Sequence, residues 1–412
     1  MIVKNLISLT IGAVFALILD SSFHFLLKII KKISHIWAIY RYDHYLEKDK
    51  NDKDNDPMIL SIYHIVGDYG NWKDKIKIKV SKSKKFHIGT SSILRSQITD
   101  NTEWSNKDLS EYLSEKPYPD RAASAVNMDV TKFEEELQNS VKRVENVFLE
   151  KVRAGNPFFI GEMYGIHEMS LRDGTFLISG FVSDYYTHKV MADLYERRYK
   201  EDCSSVVPKI RNSLFKNNRN DKLDDLNRYT YFLTSLGMDI LIYLEDEDVI
   251  LMLKRSEKVI GNNKPRWHMS VNEAVSITDL VNISDGKIIS FEKCVKRGIV
   301  EELGLLVDGS NSQYSISMQM VLGDVFFLKK PLEVGISAFV KLTGVSVDMI
   351  KVCYSAAKDG GFETSMMTSI PCNKRDIMSF LEESKRTKDI TPAGEYLLRM
   401  FLARGNKELF DE

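Results

Sequence analysis

Apolar residues recur along this chain at three different spacings, and each spacing implies a different kind of element. Residues 6–27 are almost continuously apolar, long enough for a helix to cross a bilayer core of about 30 Å. Phe23, Leu26, Leu27, Ile30, Ile33 and Trp37 then recur at helical spacing with Lys28, Lys31 and Lys32 opposite, which carries the helix along a membrane surface. Residues 47–57, EKDKNDKDNDP, hold too little apolar surface to fold and read as a solvated linker. Alternation takes over beyond it. Residues 59–66 have the pattern of a strand, and in 75–80 lysines alternate with Ile76, Ile78 and Val80, giving one buried and one basic face. The basic face suits lipid phosphates or a nucleotide, although an edge strand guarded by lysines is the commoner use of such a pattern.

A 3.6-residue period returns in 131–154, where Phe133, Leu137, Val141, Val144, Phe148 and Val152 form one stripe that stops at Gly155-Asn156-Pro157. Segments 166–171 and 175–181 flank Asp173-Gly174, a hairpin signal. Residues 201–227 are polar and connect to a second set of strands, 236–244 and 249–253, around the acidic turn 245–248. Residues 314–327 and 335–342 alternate as strands. Helices are predicted over 373–385 and after Thr391, where Pro392 takes the first helical position and Leu398, Phe401 and Leu402 point inward. The fold class is α/β (α+β), a mixed sheet flanked by helices. Four regions follow: an anchor with its amphipathic continuation (1–46), the linker (47–57), an accessory α+β region (58–227) and a second α+β domain (228–412).

Composition narrows the function. A net charge of −1 over 412 residues excludes a general polyanion binder, and no nucleic-acid-binding motif is present. The four cysteines are widely spaced and form no metal or redox motif, which fits a reduced cytosolic compartment. Asp20 interrupts the apolar stretch at an insertion cost of about 2.5–3.5 kcal/mol near the bilayer centre, less at the interface. Lys28, Lys31, Lys32 and Arg41 follow the stretch and only Lys4 precedes it, so the body is expected on the cytoplasmic side of a single pass.

Chemistry concentrates in residues 291–305, FEKCVKRGIVEELGL. Phe291, Val295 and Ile299 share one face, with Cys294 and Leu303 beside it, while Arg297, Glu301 and Glu302 lie on the other, and Gly304 supplies the stop. Arg297 can hold Glu301 one turn on, and Glu301 with Glu302 offers oxygens to a hard cation such as Mg, which a nucleotide pyrophosphate would share.

These residues resemble the signature helix of the Nudix superfamily, Arg-Glu-aliphatic-any-Glu-Glu-any-Gly-aliphatic. Arg297, Ile299, Glu301, Glu302, Gly304 and Leu305 match it. Gly298 stands where the family has a metal-binding glutamate that often serves as general base. The resemblance implies a phosphate-handling pocket. It makes Lys254 and Arg255 candidates for substrate phosphates, Trp267 for stacking on a base, Asn272 and Glu273 for the altered loop, and Arg297 for ligand binding, with Glu301 and Glu302 as conditional Mg ligands.

Two functions then compete. An apolar anchor joined to an altered Nudix domain resembles the membrane Nudix effectors of bacterial cyclic-oligonucleotide antiphage signalling (CBASS). That resemblance implies a partner nucleotidyltransferase that makes a cyclic nucleotide, a domain that binds it without turnover, and a homo-oligomer that disrupts the inner membrane. The alternative is a tethered, Mg-dependent hydrolase of nucleoside diphosphate derivatives, with Glu301 and Glu302 on the metal and Glu273 or Glu292 activating water.

Overall fold

Alternation along the strands decides which surfaces meet, and the chain uses it to build two mixed sheets. The computed structural model describes residues 59–64, 76–88, 123, 129–155, 161–196, 227, 230–257, 265–283, 286–307, 315–328, 333–357, 364–403 and 410. The candidate span 6–27, its continuation to residue 46 and the linker 47–57 lie outside them. Among the described residues no helix is long and apolar enough to cross a membrane.

In chain order the elements begin with β1 (Ile59–His64), β2 (Ile76–Lys85), α1 (Val130–Arg153), β3 (Glu162–Arg172), β4 (Thr175–Asp184) and α2 (Tyr185–Glu196). Then come β5 (Leu236–Leu244), β6 (Val249–Arg255), β7 (Trp267–His268), β8 (Val271–Ala274), a 3-10 turn (Ile277–Asp279), β9 (Leu280–Ile283) and β10 (Gly286–Ile289). The last are α3 (Phe291–Leu303), β11 (Ser317–Leu328), β12 (Glu333–Thr343), α4 (Val347–Tyr354), β13 (Thr364–Pro371), α5 (Lys374–Thr387) and α6 (Pro392–Ala403).

The larger sheet runs β1-β11-β12-β5-β6-β13, with β7 on β6 and β8 on β5; the smaller runs β3-β4-β2-β10-β9. One pair in each is parallel, β12 with β5 and β2 with β4. Strands from before and after residue 228 share both sheets: β1 lies against β11, and β2 against β10. The expected accessory region and the expected second domain are therefore interleaved through backbone hydrogen bonds.

β5 explains why its sequence, LGMDILIYL, is apolar at almost every position. Leu236, Met238, Ile240, Ile242 and Leu244 enter the core shared with α3, whereas Leu241 and Tyr243 face α5 and α6. A strand covered on both faces loses its polar alternation. On the second face, Leu397, Leu398 and Phe401 of α6 pack with Ile377 and Leu381 of α5.

Local signals agree with this arrangement. Asp173 (φ 49°) and Gly174 (φ 72°) both adopt the left-handed conformation that the β3–β4 hairpin turn needs. The acidic turn after β5 is exposed yet tied to the end of β12: Asp246 Oδ2 accepts the Gly344 N–H at 2.6 Å, and Glu245 Oε2 accepts the Thr343 hydroxyl at 2.5 Å.

Leu397 is fully buried between α6 and the larger sheet. Leu397→Ala is expected to lower stability by about 2–5 kcal/mol through lost burial and a residual cavity. Urea unfolding followed by circular dichroism checks this as a lower midpoint with a similar slope.

Candidate functional site

α3 begins where Ser290 accepts the Lys293 N–H at 3.2 Å and ends at Gly304 (φ 71°), whose N–H returns to Val300 O at 3.0 Å. The buried face is wider than its apolar residues alone suggest, since it includes Gly298 and Glu302.

Gly298 is where the helix touches β8. A Cβ there would stand 2.7 Å from Val271 Cγ1 and 3.1 Å from Glu273 Cβ. The glycine sacrifices about 1 kcal/mol of helix propensity and in return lets the helix backbone close on the strand. A glutamate at 298 cannot occupy this position unless the Val271 and Glu273 side chains give way.

Arg297 anchors a network that the sequence reading saw only in part. Its Nη1 donates to Glu273 Oε1 at 2.5 Å and lies 3.6 Å from Glu301 Oε2, so the expected one-turn ion pair is present but secondary. Nε and Nη2 grip Asp279 as a fork, at 3.1 and 2.9 Å, and Nη2 also donates to Ala274 O at 2.7 Å. Asp279 is only 1% exposed. It also accepts the Ser276 N–H at 2.8 Å, which closes a capping box on the 3-10 turn. The Ser-x-x-Asp spacing announces that cap in the sequence, but nothing local announces Arg297 as its partner. The nearby Cys294 thiol is pushed well up by burial, and further by Asp279 and Glu273, which favours the protonated thiol.

Glu302, expected on the polar face, is 7% exposed. Its Oε1 accepts the Asn272 N–H of β8 at 2.8 Å, so the carboxylate ties helix to strand. Glu301 remains part-exposed, at 27%. An Mg ion of the kind the resemblance implies does not fit this set: Gly298 offers no oxygen, Glu273 is held by Arg297, and Glu302 is held by Asn272. Among the described residues no group of three or more His, Cys, Asp or Glu side chains is placed to hold a metal.

The other candidates lie in different surroundings. Lys254 pairs with Asp389 at 2.7 Å and sits 5.2 Å from the ring centre of Trp267, which packs edge-on against Phe380 of α5. Arg255 is half-buried and acts electrostatically on Asp239 and His268. Asn272 faces two ways, since its Nδ2 donates to Asp239 Oδ1 at 2.6 Å while its backbone holds Glu302.

Asp239, the lone acid of β5, is 3% exposed. Burial, reinforced by Glu333 and opposed by Asn272 and Arg255, raises its pKa to about 7. A Cβ at Gly335 would meet Asp239 Oδ2 at 2.7 Å, so this carboxyl lies over the glycine of the neighbouring strand.

No family profile matches the chain, and no curated protein does. Solved structures similar to it include DR0079 from Deinococcus radiodurans, at 11% identity and a TM-score of 0.28, over 41% of this chain and 83% of that one. The MutT protein from Methanosarcina mazei Go1 is similar at 18% identity and a TM-score of 0.24, over 41% of this chain and 94% of that one. Neither carries an argument about activity, which rests on the side chains described above.

Arg297→Ala leaves the buried Asp279 unpaired and is expected to cost about 3–5 kcal/mol, with Arg297→Lys recovering only part because a lysine cannot form the fork. Thermal and urea unfolding of the two variants measure this. For Asp239 the folded-state pKa lies above the unfolded one, so its contribution to stability is full below pH of about 4 and is lost as pH rises through about 7, on the order of 4 kcal/mol in all. Asp239→Asn should flatten that part of the stability profile measured from pH 4 to 8.

Proposed function

We propose that this chain is a Nudix-like binding module that holds a nucleotide without cleaving it and is tethered to a bilayer by residues 6–27. The observation that carries the reading is the contact at Gly298. Where the resembled signature has its metal-binding glutamate, this helix presses its backbone against Val271 and Glu273. The neighbouring carboxylates are committed to Arg297 and to the Asn272 N–H. A signature helix altered in this way favours retention of a ligand over turnover. Retention suits a sensor, because a ligand shifts a conformational equilibrium only while it stays bound and only through differential affinity. The tether is supported by the apolar run and the lysines that follow it. In the antiphage setting that the resemblance implies, a neighbouring nucleotidyltransferase supplies a cyclic oligonucleotide, and self-assembly of the bound chains disrupts the inner membrane.

The test is incubation of the full chain with magnesium and a panel of nucleoside diphosphate derivatives and cyclic oligonucleotides. The expected result is a higher melting temperature with one ligand, recovered intact by phosphorus NMR. Steady hydrolysis would overturn the reading. Gly298→Glu is expected to lower the melting temperature without creating hydrolysis, because the new side chain collides with Val271 and Glu273.

A further inference from the structure

The lysine-bearing strand β2 is not an edge. It lies third in the order β3-β4-β2-β10-β9, hydrogen-bonded to β4 on one side and β10 on the other. At Lys79, where Ile288 of β10 is in register, protection of an open edge, the ordinary reason for lysines in a strand, therefore does not account for the lysine. Ile76 and Ile78 are buried in the core, while the alternate positions Lys77 and Lys79 face outward, the first half-buried and the second exposed. Beside them on the same face stand Leu177 and Ser179 of β4 and Ile288 of β10, all partly exposed.

Several other cations of the described residues have carboxylate partners, among them Arg143 with Asp193, Lys296 with Glu292, Lys341 with Glu245 and Arg399 with Glu395. Lys77 and Lys79 make no ion pair among the described residues. The acid nearest in register on that face is Glu168 of β3, which aligns with Ser179 two strands from Lys79, about 10 Å at ordinary strand spacing. The whole strand, IKIKVSKSKK, has five lysines and no acid.

We infer that this open face of the smaller sheet lies against the anionic headgroups of a bilayer. The composition of β2 selects that occupant. It contains no arginine, the side chain that forks onto one phosphate, and no aromatic on which a base could stack. Flexible point charges on a flat face suit a diffuse anionic surface better than a single bound nucleotide. β2 is also the second strand after the candidate span, whose own flank carries Lys28, Lys31 and Lys32. The inference rests on the tethering part of the proposed function and is independent of nucleotide binding.

The experiment uses the full chain reconstituted in vesicles of phosphatidylcholine alone or of phosphatidylcholine with phosphatidylglycerol. Acetylation rates at Lys77 and Lys79 are read by mass spectrometry. Both rates are expected to fall about fivefold in the anionic vesicles and to recover in about 0.5 M salt, with Lys351 as the exposed control. Equal rates in the two vesicles overturn the inference. So does protection by inorganic pyrophosphate in detergent, which would make the face a soluble-anion site. Resistance of the chain to alkaline extraction from phosphatidylcholine vesicles reports the tether separately. Its failure sinks the tether while leaving salt-sensitive protection readable.

Discussion

The separation between α3 and β8 governs the rest of this structure. With no side chain at Gly298, the helix settles onto Val271 and Glu273, and that approach brings Glu302 to the Asn272 N–H and Arg297 to Glu273 and Ala274. Each of these bonds needs the helix at this height above the strand. The buried Asp279 in turn needs the Arg297 fork, since a carboxylate out of water is stable only when it is paired and hydrogen-bonded. One missing methyl group thus organises a set of charges that would otherwise face solvent or a metal.

The same contact reaches through the sheet. Asn272 holds Glu302 with its backbone on the α3 side and Asp239 with its side chain on the other. A strand residue whose backbone and side chain serve opposite faces ties together two cores that share no apolar contact at that point. The buried Asp239 belongs to the second of these faces, where Tyr396 of α6 also donates to the buried Asp324.

Much of this was legible from local pattern. The signature helix, its glycine stop, the Asp173-Gly174 hairpin and the strands around residues 245–248 are encoded within a few residues of themselves, by period and by left-handed turn positions. Asp239 was passed over, although it is the single acid in an apolar strand. The misreadings come from long-range pairing. Glu302 looks solvent-facing by helical spacing, yet a backbone N–H thirty residues away in sequence draws it inward. Period alone cannot say whether β2 is an edge, because its neighbours are set by β4 and β10, distant in the chain. For Trp267 and Lys254, which the resemblance offered as ligand contacts, no local pattern pointed to their partners Phe380 and Asp389, more than a hundred residues on.

The placement of β1 has a mechanical side. It forms an outermost strand of the larger sheet and is joined antiparallel to β11 from Ile59 to His64. Tension entering at Ile59 is therefore carried by that ladder. A pull on β1 thus passes to β11, whose other neighbour, β12, runs beside β5 and its buried acid.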